Sequence, residues 1–275
     1  MNFSENDITQ LARIHYQLDA KVKSLNGYDE LNFLLTDKAG RKYIFKIATD
    51  EHKYDFLDAQ VKIVNHLSQS KVANRLQQYL CNTEGKELTT IVIDGVNYYL
   101  RILTFIDGDF WVDVKERPDE LLFDLGSFLG EMDNALKNFS HLAMHRHYVW
   151  DIQTAMDARS FLHCIKDHER RRIAAYFLLQ YETEVLPFHS SLRRAYIHND
   201  ANDYNLLVVK NRVAGLIDFG DMVYSHLINN VAVACTYAML NTPDPLHAAV
   251  LVVKGYHEKC PLTEKEIELL YYLIA

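Results

Sequence analysis

The stretch that decides the fold is YIHNDANDYN, residues 196–205, which is followed thirteen positions later by Asp218 in the string IDFGD. The residues between them, LLVVKNRVAGLIDF (206–219), have the pattern of two short apolar strands joined by a two-residue turn. A hairpin returns to the end from which it starts. The sequence therefore predicts that the side chains of Asn205 and Asp218 lie at the same end of this hairpin.

The polar side chains of these strings suit one kind of chemistry. Magnesium prefers oxygen ligands, usually one or two carboxylates together with phosphates, and Asn205 and Asp218 offer one neutral and one charged oxygen. Asp200 lies on the same loop, five positions before Asn205, as a base beside such a metal must. His198 is better suited to supporting the loop by hydrogen bonding. The pattern indicates phosphoryl transfer to a hydroxyl group; an acidic turn that only caps helices is the alternative.

The spacing His198-x-Asp200-x4-Asn205, followed by Asp218-Phe219-Gly220, resembles the catalytic and metal loops of protein-kinase-fold enzymes. Without an Arg after the His, it is similar to the aminoglycoside phosphotransferase superfamily, which includes choline, homoserine and hydroxylysine kinases. HNDANDYNLLV and IDFGDMVYS most resemble its hydroxylysine-kinase-like branch. The resemblance covers about 20–260. It implies Asp200, with His198, as the catalytic-loop residues and Asn205 and Asp218 as Mg²⁺ ligands of an ATP-dependent small-molecule kinase.

The rest of the chain has the strand and helix patterns expected for such a fold. Strand patterns at 32–36 and 42–48 form a hairpin, a helix follows over 51–68, and Asp94-Gly95 joins the two strands of a second hairpin. The sequence predicts an α+β, bilobal protein-kinase-like fold. Its parts are a small N-lobe of antiparallel strands plus one main helix (1–103), a hinge (104–108) and a larger, mostly helical C-lobe (109–275).

Helical patterns dominate the second half of the chain. One helix starts with Pro118 in its first turn, and Thr263 with Glu266 forms a capping box for the last one. Between them we predict helices over 151–165, 168–184, 226–241 and 244–258.

Lys46 lies inside the apolar strand YIFKIA. A lysine at such a position usually extends its charged end into water from an edge strand. In a kinase-like chain the position matches the lysine that holds the α- and β-phosphates of the donor. The resemblance also implies an acidic partner on the helix over 51–68, where the matching residue is Gln60. Gln60 is able to accept a hydrogen bond from Lys46 but brings no charge.

Two further segments are matched to the nucleotide by resemblance. GYDELNF (27–33) resembles the phosphate-covering turn of the branch, although it lacks the GxGxxG loop of protein kinases. LRILTFIDG (100–108) matches the hinge, and an edge strand followed by a turn is the alternative. The residues implied in nucleotide binding are Gly27, Tyr28 and Asp29, whose backbone N–H groups would cradle phosphate, and Thr104 and Ile106, whose backbone groups would pair with adenine.

The acceptor is expected to be an amino alcohol or a hydroxy amino acid, because this branch phosphorylates hydroxyls on small, often cationic molecules. An Arg–Asp pair could hold a zwitterion, and a tryptophan could stack on an ammonium group. A surface salt bridge or a core aromatic remains open for each candidate. The candidate contacts are Arg146, Trp150, Asp151, Asp221 and Tyr224. Asn230 occupies a position where relatives tend to carry an acidic residue, and we expect it to be structural.

The composition of the chain disfavours some classes of binding partner. The chain has 275 residues, 29 basic and 37 acidic, for a net charge of −8, which disfavours nucleic acid and anionic membranes. The four cysteines show no CxxC pair and are expected to be free, mostly buried thiols of a reducing compartment. The thirteen histidines show no zinc motif. With no signal peptide and no long apolar run, the expected location is the cytoplasm.

ATP and Mg²⁺ are the expected cofactors, and two other functions remain open. A pseudokinase that only binds nucleotide is favoured by Gln60 but disfavoured by the intact Lys46, Asp200, Asn205 and Asp218. A protein kinase is disfavoured because the chain lacks the HRD arginine and an APE segment. Relatives of this branch also occur fused to aminotransferase-type enzymes. The apolar final helix fits a chain cut from such a fusion and a docked C-terminal helix equally well.

Overall fold

The computed structural model describes residues 3–27, 30–49 and 54–275, and the chain divides into two compact units. The first unit consists of Met1–Gln69 and Leu76–Asp107. The second consists of Ser70–Arg75 and Gly108–Ala275. Each unit contains its own β-structure and helices, so each can be described by itself.

The first unit is built on one antiparallel sheet with strand order β1-β2-β3-β6-β4, in which β5 also pairs with β6. Both predicted hairpins are confirmed, and Asp94 and Gly95 have positive φ values as a tight hairpin turn requires. The first and fourth strands were not predicted. The elements are α1 (Glu5–Tyr16), β1 (Ala20–Leu25), β2 (Leu31–Asp37), β3 (Lys42–Thr49), α2 (Tyr54–Leu67), β4 (Tyr79–Leu80), β5 (Thr89–Ile93) and β6 (Val96–Thr104).

The sheet separates an apolar face from a polar row because side chains alternate along each strand. Apolar residues of β2, β3 and β6 pack with α1 in a core that contains Ile8, Phe33, Phe45, Ile47 and Leu100. In the strand register Asn32 lies opposite Lys46, and Lys46 lies opposite Arg101. These three polar residues therefore form one row across three neighbouring strands.

The second unit is mostly helical and contains two small antiparallel sheets, β10-β9-β7 and β11-β8. The predicted hairpin is β9–β10, so that prediction is confirmed. The last helix begins with the predicted capping box of Thr263 and Glu266. The main elements are β7 (Asp109–Phe110), α3 (Asp119–Ala135), α4 (His168–Gln180), β8 (Arg194–Ile197), β9 (Leu206–Val209), β10 (Arg212–Leu216), β11 (Val223–His226), α5 (Leu227–Met239), α6 (Pro245–Lys259) and α7 (Glu264–Ile274).

Two predicted helices differ in kind from the structure. The segment predicted over 151–165 is a 3₁₀-helix, Ile152–Cys164, and α4 ends in a π-helical turn, Tyr181–Val185. None of the residues of Ile152–Cys164 is buried. A helix usually gains most of its stability by packing one apolar face, so a segment without such a face has little to hold it in regular α geometry. Pro118 is the N-cap of α3 and not a first-turn residue.

Helices α3 and α6 approach each other closely at glycines. A Cβ atom at Gly126 would lie 1.9 Å from the carbonyl oxygen of Val252, and one at Gly255 would lie 2.1 Å from that of Phe123. Any larger residue at either position would force the two backbones apart. The absence of side chains at these positions lets α3 and α6 contact each other through their backbones.

The placement of the cysteines tests one expectation from composition. All four cysteines are free, but only Cys235 and Cys260 are buried, so the expectation of mostly buried thiols is wrong for Cys81 and Cys164. None of the helices in the described part of the chain has both the length and the apolar character needed to cross a membrane.

Candidate active site

The loop predicted to be catalytic, residues 198–205, begins where β8 ends, and the buried His198 supports it by hydrogen bonds. This segment is called the catalytic loop below. His198 is fully buried, its Nδ1 atom lies 3.3 Å from the backbone N–H of Asp200, and its Nε2 atom lies 3.2 Å from the carbonyl oxygen of Ile217. Burial lowers the pKa of His198 to about 4, so the imidazole is neutral at pH 7. A neutral ring can accept at Nδ1 and donate at Nε2. His198 thus occupies a supporting position that links the catalytic loop to the strand leading to Asp218.

The carboxylate of Asp200 is clamped by two amides. Asn202 Nδ2 lies 2.8 and 2.9 Å from its two oxygens, and Asn205 Nδ2 lies 2.6 Å from Oδ2. Asn202 Oδ1 in turn accepts hydrogen bonds from the backbone N–H groups of Tyr204 and Asn205. The sequence analysis missed Asn202, although an Asn at a turn commonly bonds its own backbone two residues on.

The hairpin brings Asn205 and Asp218 to one end, as predicted, because Ile217 N donates to Asn205 O at 2.9 Å. Since Asn205 Nδ2 is used by Asp200, Oδ1 is the amide atom that can face a cation. Asp218 is exposed, and its left-handed backbone (φ 62°, ψ 83°) turns the chain directly after β10.

The donor set fits Mg²⁺ bound together with phosphates. One amide oxygen and one carboxylate are the small protein share that Mg²⁺ commonly accepts. Among the described residues, no group of three or more His, Cys, Asp or Glu side chains could hold a metal ion. A nucleotide would therefore supply the remaining oxygen ligands.

A second carboxylate acts on Asp200. Burial, and then the negative charge of Asp221, raise the pKa of the Asp200 carboxyl above its usual range. Asp221 accepts a hydrogen bond from the hydroxyl of Tyr148, which the sequence analysis did not single out. The carboxyl of Asp200 therefore holds a proton more tightly than an exposed aspartate does, as suits a group that accepts one.

The segment 146–151 is fastened to both loops. Arg146 Nη2 donates to the carbonyl oxygens of Gly220 and Met222 at 2.8 and 3.1 Å, and its guanidinium stacks 4.0 Å from the ring centroid of Tyr148. Asn199 Nδ2 donates to the carbonyl oxygen of Trp150 at 3.3 Å. Arg146 thus supports the metal-loop backbone, while the side chain of Trp150 stays 70% exposed next to the catalytic loop.

Asp151 has a structural position. Its side chain is only 2% exposed and accepts hydrogen bonds from Ser225 Oγ at 2.7 Å and Asn229 Nδ2 at 3.2 Å, besides capping the 3₁₀-helix through Gln153. The interpretation of Asp151 as a substrate contact is therefore not supported by its geometry.

Tyr224 is packed among aromatic rings. Its ring centroid lies 4.3 Å from that of His145 and 5.0 Å from that of Tyr196. The core-aromatic alternative left open for this residue matches its placement.

In the first unit, Lys46 lies on β3, a central strand, so the edge-strand interpretation is wrong. Lys46 Nζ is 3.2 Å from Glu30 Oε2, and the other oxygen of Glu30 bonds Arg101. Gln60 Oε1 accepts a hydrogen bond from Arg101 Nη1 at 2.9 Å, so in this structure the amide contacts Arg101. Arg101 is 0% exposed and is the residue that connects Gln60 to Glu30.

The phosphate-covering turn is constrained at its first residue. A Cβ atom at Gly27 would lie 2.1 Å from the carbonyl oxygen of Glu30, so only glycine fits there. Tyr28 and Asp29, two of the implied phosphate contacts, lie outside the described residues.

The two hinge candidates differ in whether their backbone groups already form hydrogen bonds. Thr104 N–H donates to Gln78 O at 2.8 Å, and Thr104 O accepts from Gln77 Nε2 at 2.9 Å. Within the described residues, the backbone of Ile106 takes part in no hydrogen bond. An adenine ring could therefore pair with Ile106, whereas the backbone of Thr104 is already used inside the first unit.

Comparisons with known proteins agree with this geometry. The profile of the phosphotransferase enzyme family matches residues 21–264. Hydroxylysine kinase from Xenopus laevis is 30% identical over 296 aligned residues, which cover 98% of this chain and 79% of that protein. Hydroxylysine kinase from Bos taurus is 25% identical and covers 100% of this chain and 79% of that protein.

Solved structures share the fold at low identity. Amicoumacin kinase hAmiN, in complex with AMP-PNP, Ca²⁺ and Ami, superposes with a TM-score of 0.77 at 17% identity and covers 99% of this chain and 83% of its own. A microcompartment-associated aminopropanol kinase superposes with a TM-score of 0.67 at 17% identity and covers 97% and 85%. Together with the bilobal α+β elements and the clamped Asp200, these matches show that the chain belongs to the phosphotransferase enzyme family.

Proposed function

We propose that this phosphotransferase moves the γ-phosphoryl group of ATP to a hydroxyl group of a small, amine-bearing molecule, either an amino alcohol or a hydroxy amino acid. The observation that carries the proposal is the clamped Asp200 carboxylate beside Asn205 Oδ1, at the hairpin end that also holds Asp218. The names of relatives, hydroxylysine kinase and aminopropanol kinase, support a hydroxyl acceptor that carries an amine.

On the acceptor side, Asp200 takes the proton of the attacking hydroxyl. The hydroxyl oxygen bonds to the γ-phosphorus, the bond from that phosphorus to the β–γ bridging oxygen breaks, and ADP leaves. Asn202 and Asn205 hold the carboxylate in one orientation, so little reorganisation is needed when the proton moves. When bound, Mg²⁺ held by Asn205 Oδ1 and Asp218 would neutralise charge on the phosphates.

On the donor side, the first unit offers three groups to the nucleotide. Lys46 would pair with the phosphates while Glu30 orients its ammonium group. Backbone N–H groups of Gly27, Tyr28 and Asp29, the residues implied by the resemblance, would contact phosphate. The unused backbone of Ile106 would pair with adenine. Because Lys46 has a carboxylate partner in Glu30, Gln60 gives no reason to favour an inactive nucleotide-binding module.

The acceptor's amine would lie near Asp221 and Trp150. Asp221 adds negative charge close to the base, and Trp150 presents an exposed ring on which an ammonium group can stack. Arg146 and Tyr224 would act indirectly, Arg146 by holding the metal-loop backbone and Tyr224 by packing against His145 and Tyr196.

A panel of small alcohols tests this function. The protein would be incubated with Mg-ATP and pairs of compounds that share a hydroxyl but differ in carrying an amine, and ADP release would be measured. We expect turnover well above ATP hydrolysis for amine-bearing members, and a thermal shift with ATP that requires Mg²⁺. A metal-dependent shift without turnover on any hydroxy compound would contradict the proposal.

Replacing Asp218, the proposed carboxylate ligand of Mg²⁺, tests nucleotide binding separately from proton transfer. We expect Asp218→Ala to raise the Kd of Mg-ATP, because one of the two protein ligands is lost. Isothermal calorimetry with and without Mg²⁺ measures this. Asp119→Ala, an exposed acid of α3, is the control and should bind Mg-ATP as the native protein does. An unchanged Kd in Asp218→Ala would remove Asp218 from the metal site.

A further inference from the structure

Asn199, between His198 and Asp200, is held in an unusual backbone conformation. Its φ value is +67°, in the left-handed region that residues other than glycine seldom adopt. The residue is buried, so its N–H group needs a partner inside the protein. Asn230 Oδ1, on α5, accepts from that N–H at 3.2 Å. The left-handed turn directly before Asp200 is therefore tied to α5.

The orientation of Asn230 is set by a carboxylate on another helix. Asn230 Nδ2 lies 2.9 and 3.0 Å from the two oxygens of Asp133, on α3. A flipped amide would turn its oxygen toward Asp133 and its NH₂ toward the N–H of Asn199, so both bonds would be lost. Asp133 thus determines that Asn230 presents an acceptor to the catalytic loop.

Asp133 is held by a third helix. Tyr256, on α6, donates its hydroxyl to Asp133 Oδ2 at 2.6 Å, and both residues are buried. The close contact of α3 and α6 at Gly126 and Gly255 brings these two side chains together. The chain of hydrogen bonds from Asn199 through Asn230 to Asp133 is continuous, and Tyr256 donates to Asp133 from the other side, so Asp133 is the final acceptor of the chain.

Burying a carboxylate whose hydrogen-bond donors are all neutral lowers the stability of the folded state. Burial raises the pKa of Asp133 to about 7, and the hydrogen bonds from Tyr256 and Asn230 offset only part of that effect. Well-packed neutral residues often replace buried charges without loss of stability. Stability alone therefore does not explain a carboxylate here, whereas the orientation of Asn230 does.

We propose that Asp133 and Asn230 are positioning residues that fix the backbone of the catalytic loop at Asn199 and so place Asp200 for proton transfer. Neither residue touches the reacting atoms. Asp133 acts through Asn230, and Asn230 acts through the backbone N–H of Asn199.

An exchange of the two side chains tests the proposal. Asn230→Asp alone places two carboxylates against each other, so one of them must hold a proton to donate to the other, and raising the pH removes that proton. Because misplacement of a reacting group costs about 10²-fold, we expect kcat to fall by up to about that factor at a pH high enough to ionise both carboxylates. Asp133→Asn alone leaves an NH₂ group without an acceptor and should have a smaller effect. The double variant Asp133→Asn/Asn230→Asp restores every bond, since the amide placed on α3 can donate to the carboxylate placed on α5 and accept from Tyr256. It should recover most of kcat.

A second readout separates positioning from folding and does not depend on activity. Hydrogen exchange of the Asn199 amide should be faster in Asn230→Ala than in the native protein and slow again in the exchanged double variant. The KM for ATP should stay unchanged in all variants. Cys235→Ala, a buried change on α5 away from this chain of bonds, should lower the free energy of unfolding without changing kcat.

Three results would overturn the proposal. They are an Asn230→Asp variant that keeps full kcat even at a pH high enough to ionise both carboxylates, a folded double variant that stays as slow as Asn230→Asp under that condition, and an Asn199 amide whose exchange is unaffected in Asn230→Ala. Because the exchange measurement needs no substrate, it also distinguishes failure of this proposal from failure of the proposed activity.

Discussion

Each unit contains a network of polar side chains that supports a residue of the proposed site, but the amide and the carboxylate occupy opposite places in the two networks. Each has an amide where the family resemblance leads one to expect an acid, Gln60 in the first unit and Asn230 in the second, and each receives a carboxylate from a different element. In the first unit Glu30 contacts Lys46 directly, and the amide stands behind Arg101. In the second the amide contacts the loop, and Asp133 stands behind it.

The charges around the two carboxylates also differ. Glu30 is paired with two cations, whereas the hydrogen-bond donors of Asp133 are neutral. A carboxylate between cations remains ionised and is costly to neutralise, while one among neutral donors binds a proton readily. The first network should therefore be sensitive to changes of charge and the second to pH.

The largest effect is expected from replacing Asp200, whose loop is supported by the second network. Asp200→Ala should lower kcat by about 10³-fold, because a positioned general base contributes about 10²–10⁴-fold. Nucleotide binding should be spared, since the base acts on the acceptor. Steady-state kinetics and calorimetry with Mg-ATP measure the two effects. Full activity of Asp200→Ala would refute its role as base.

The next effect concerns the cationic network. Glu30→Gln removes the charge that pairs with both Lys46 and the buried Arg101, and breaking such a pair costs about 3–5 kcal/mol of unfolding free energy. Urea denaturation measures this loss, and the KM for ATP should rise because Lys46 loses its orientation. The matched control is Glu84→Gln, which removes an exposed ion pair with Lys86 in the same unit and should change neither quantity.

The pH dependence distinguishes the second network. The pKa of Asp133 is about 7 in the folded protein and near 3.8 when unfolded, so the folded state binds the proton more tightly. The stabilisation is complete below the unfolded pKa and is lost as pH rises through the folded one. Between pH 5 and 8 the native protein should lose about 2–3 kcal/mol of unfolding free energy relative to Asp133→Asn, since each pKa unit corresponds to about 1.4 kcal/mol. Equal pH profiles of the two proteins would contradict this difference.

The smallest effect comes from restoring an acid on α2. Gln60→Glu alone should change the unfolding free energy by about 1 kcal/mol or less, because Arg101 already has a carboxylate partner. Combined with Glu30→Gln it should recover part of the lost stability, with a coupling of about 0.5–3 kcal/mol in a double-mutant cycle. Strict additivity of the two changes would show that Gln60 and Glu30 do not share Arg101.

The sequence predicted the parts of the site that are close together along the chain. The motif from His198 to Asn205 and the hairpin to Asp218 follow from short spacing and from the rule that a hairpin returns to its start. Glu30, Arg101 and Asp133 could not be predicted in the same way. Their partners are far away in sequence, and only the strand register and the contact of α3 with α6 bring them together.

Some local misjudgements have a simpler cause. The resemblance pointed to Gln60 as the residue matching the acidic partner of Lys46, but Gln60 Oε1 accepts a hydrogen bond from a fully buried arginine on β6. Asp151 is a polar residue next to an exposed tryptophan, which resembled a binding segment. Its hydrogen-bond partners, Ser225 and Asn229, come from β11 and α5.

The two tryptophans of the chain give it a built-in optical probe. Trp111 is completely shielded from solvent, whereas the ring of Trp150 is 70% exposed and its carbonyl is bonded to Asn199 of the catalytic loop. Fluorescence of the shielded indole should be insensitive to a water-soluble quencher, while that of Trp150 should be quenched readily. Loss of quenching on adding a candidate acceptor would therefore report occupancy beside the catalytic loop without any label or any turnover.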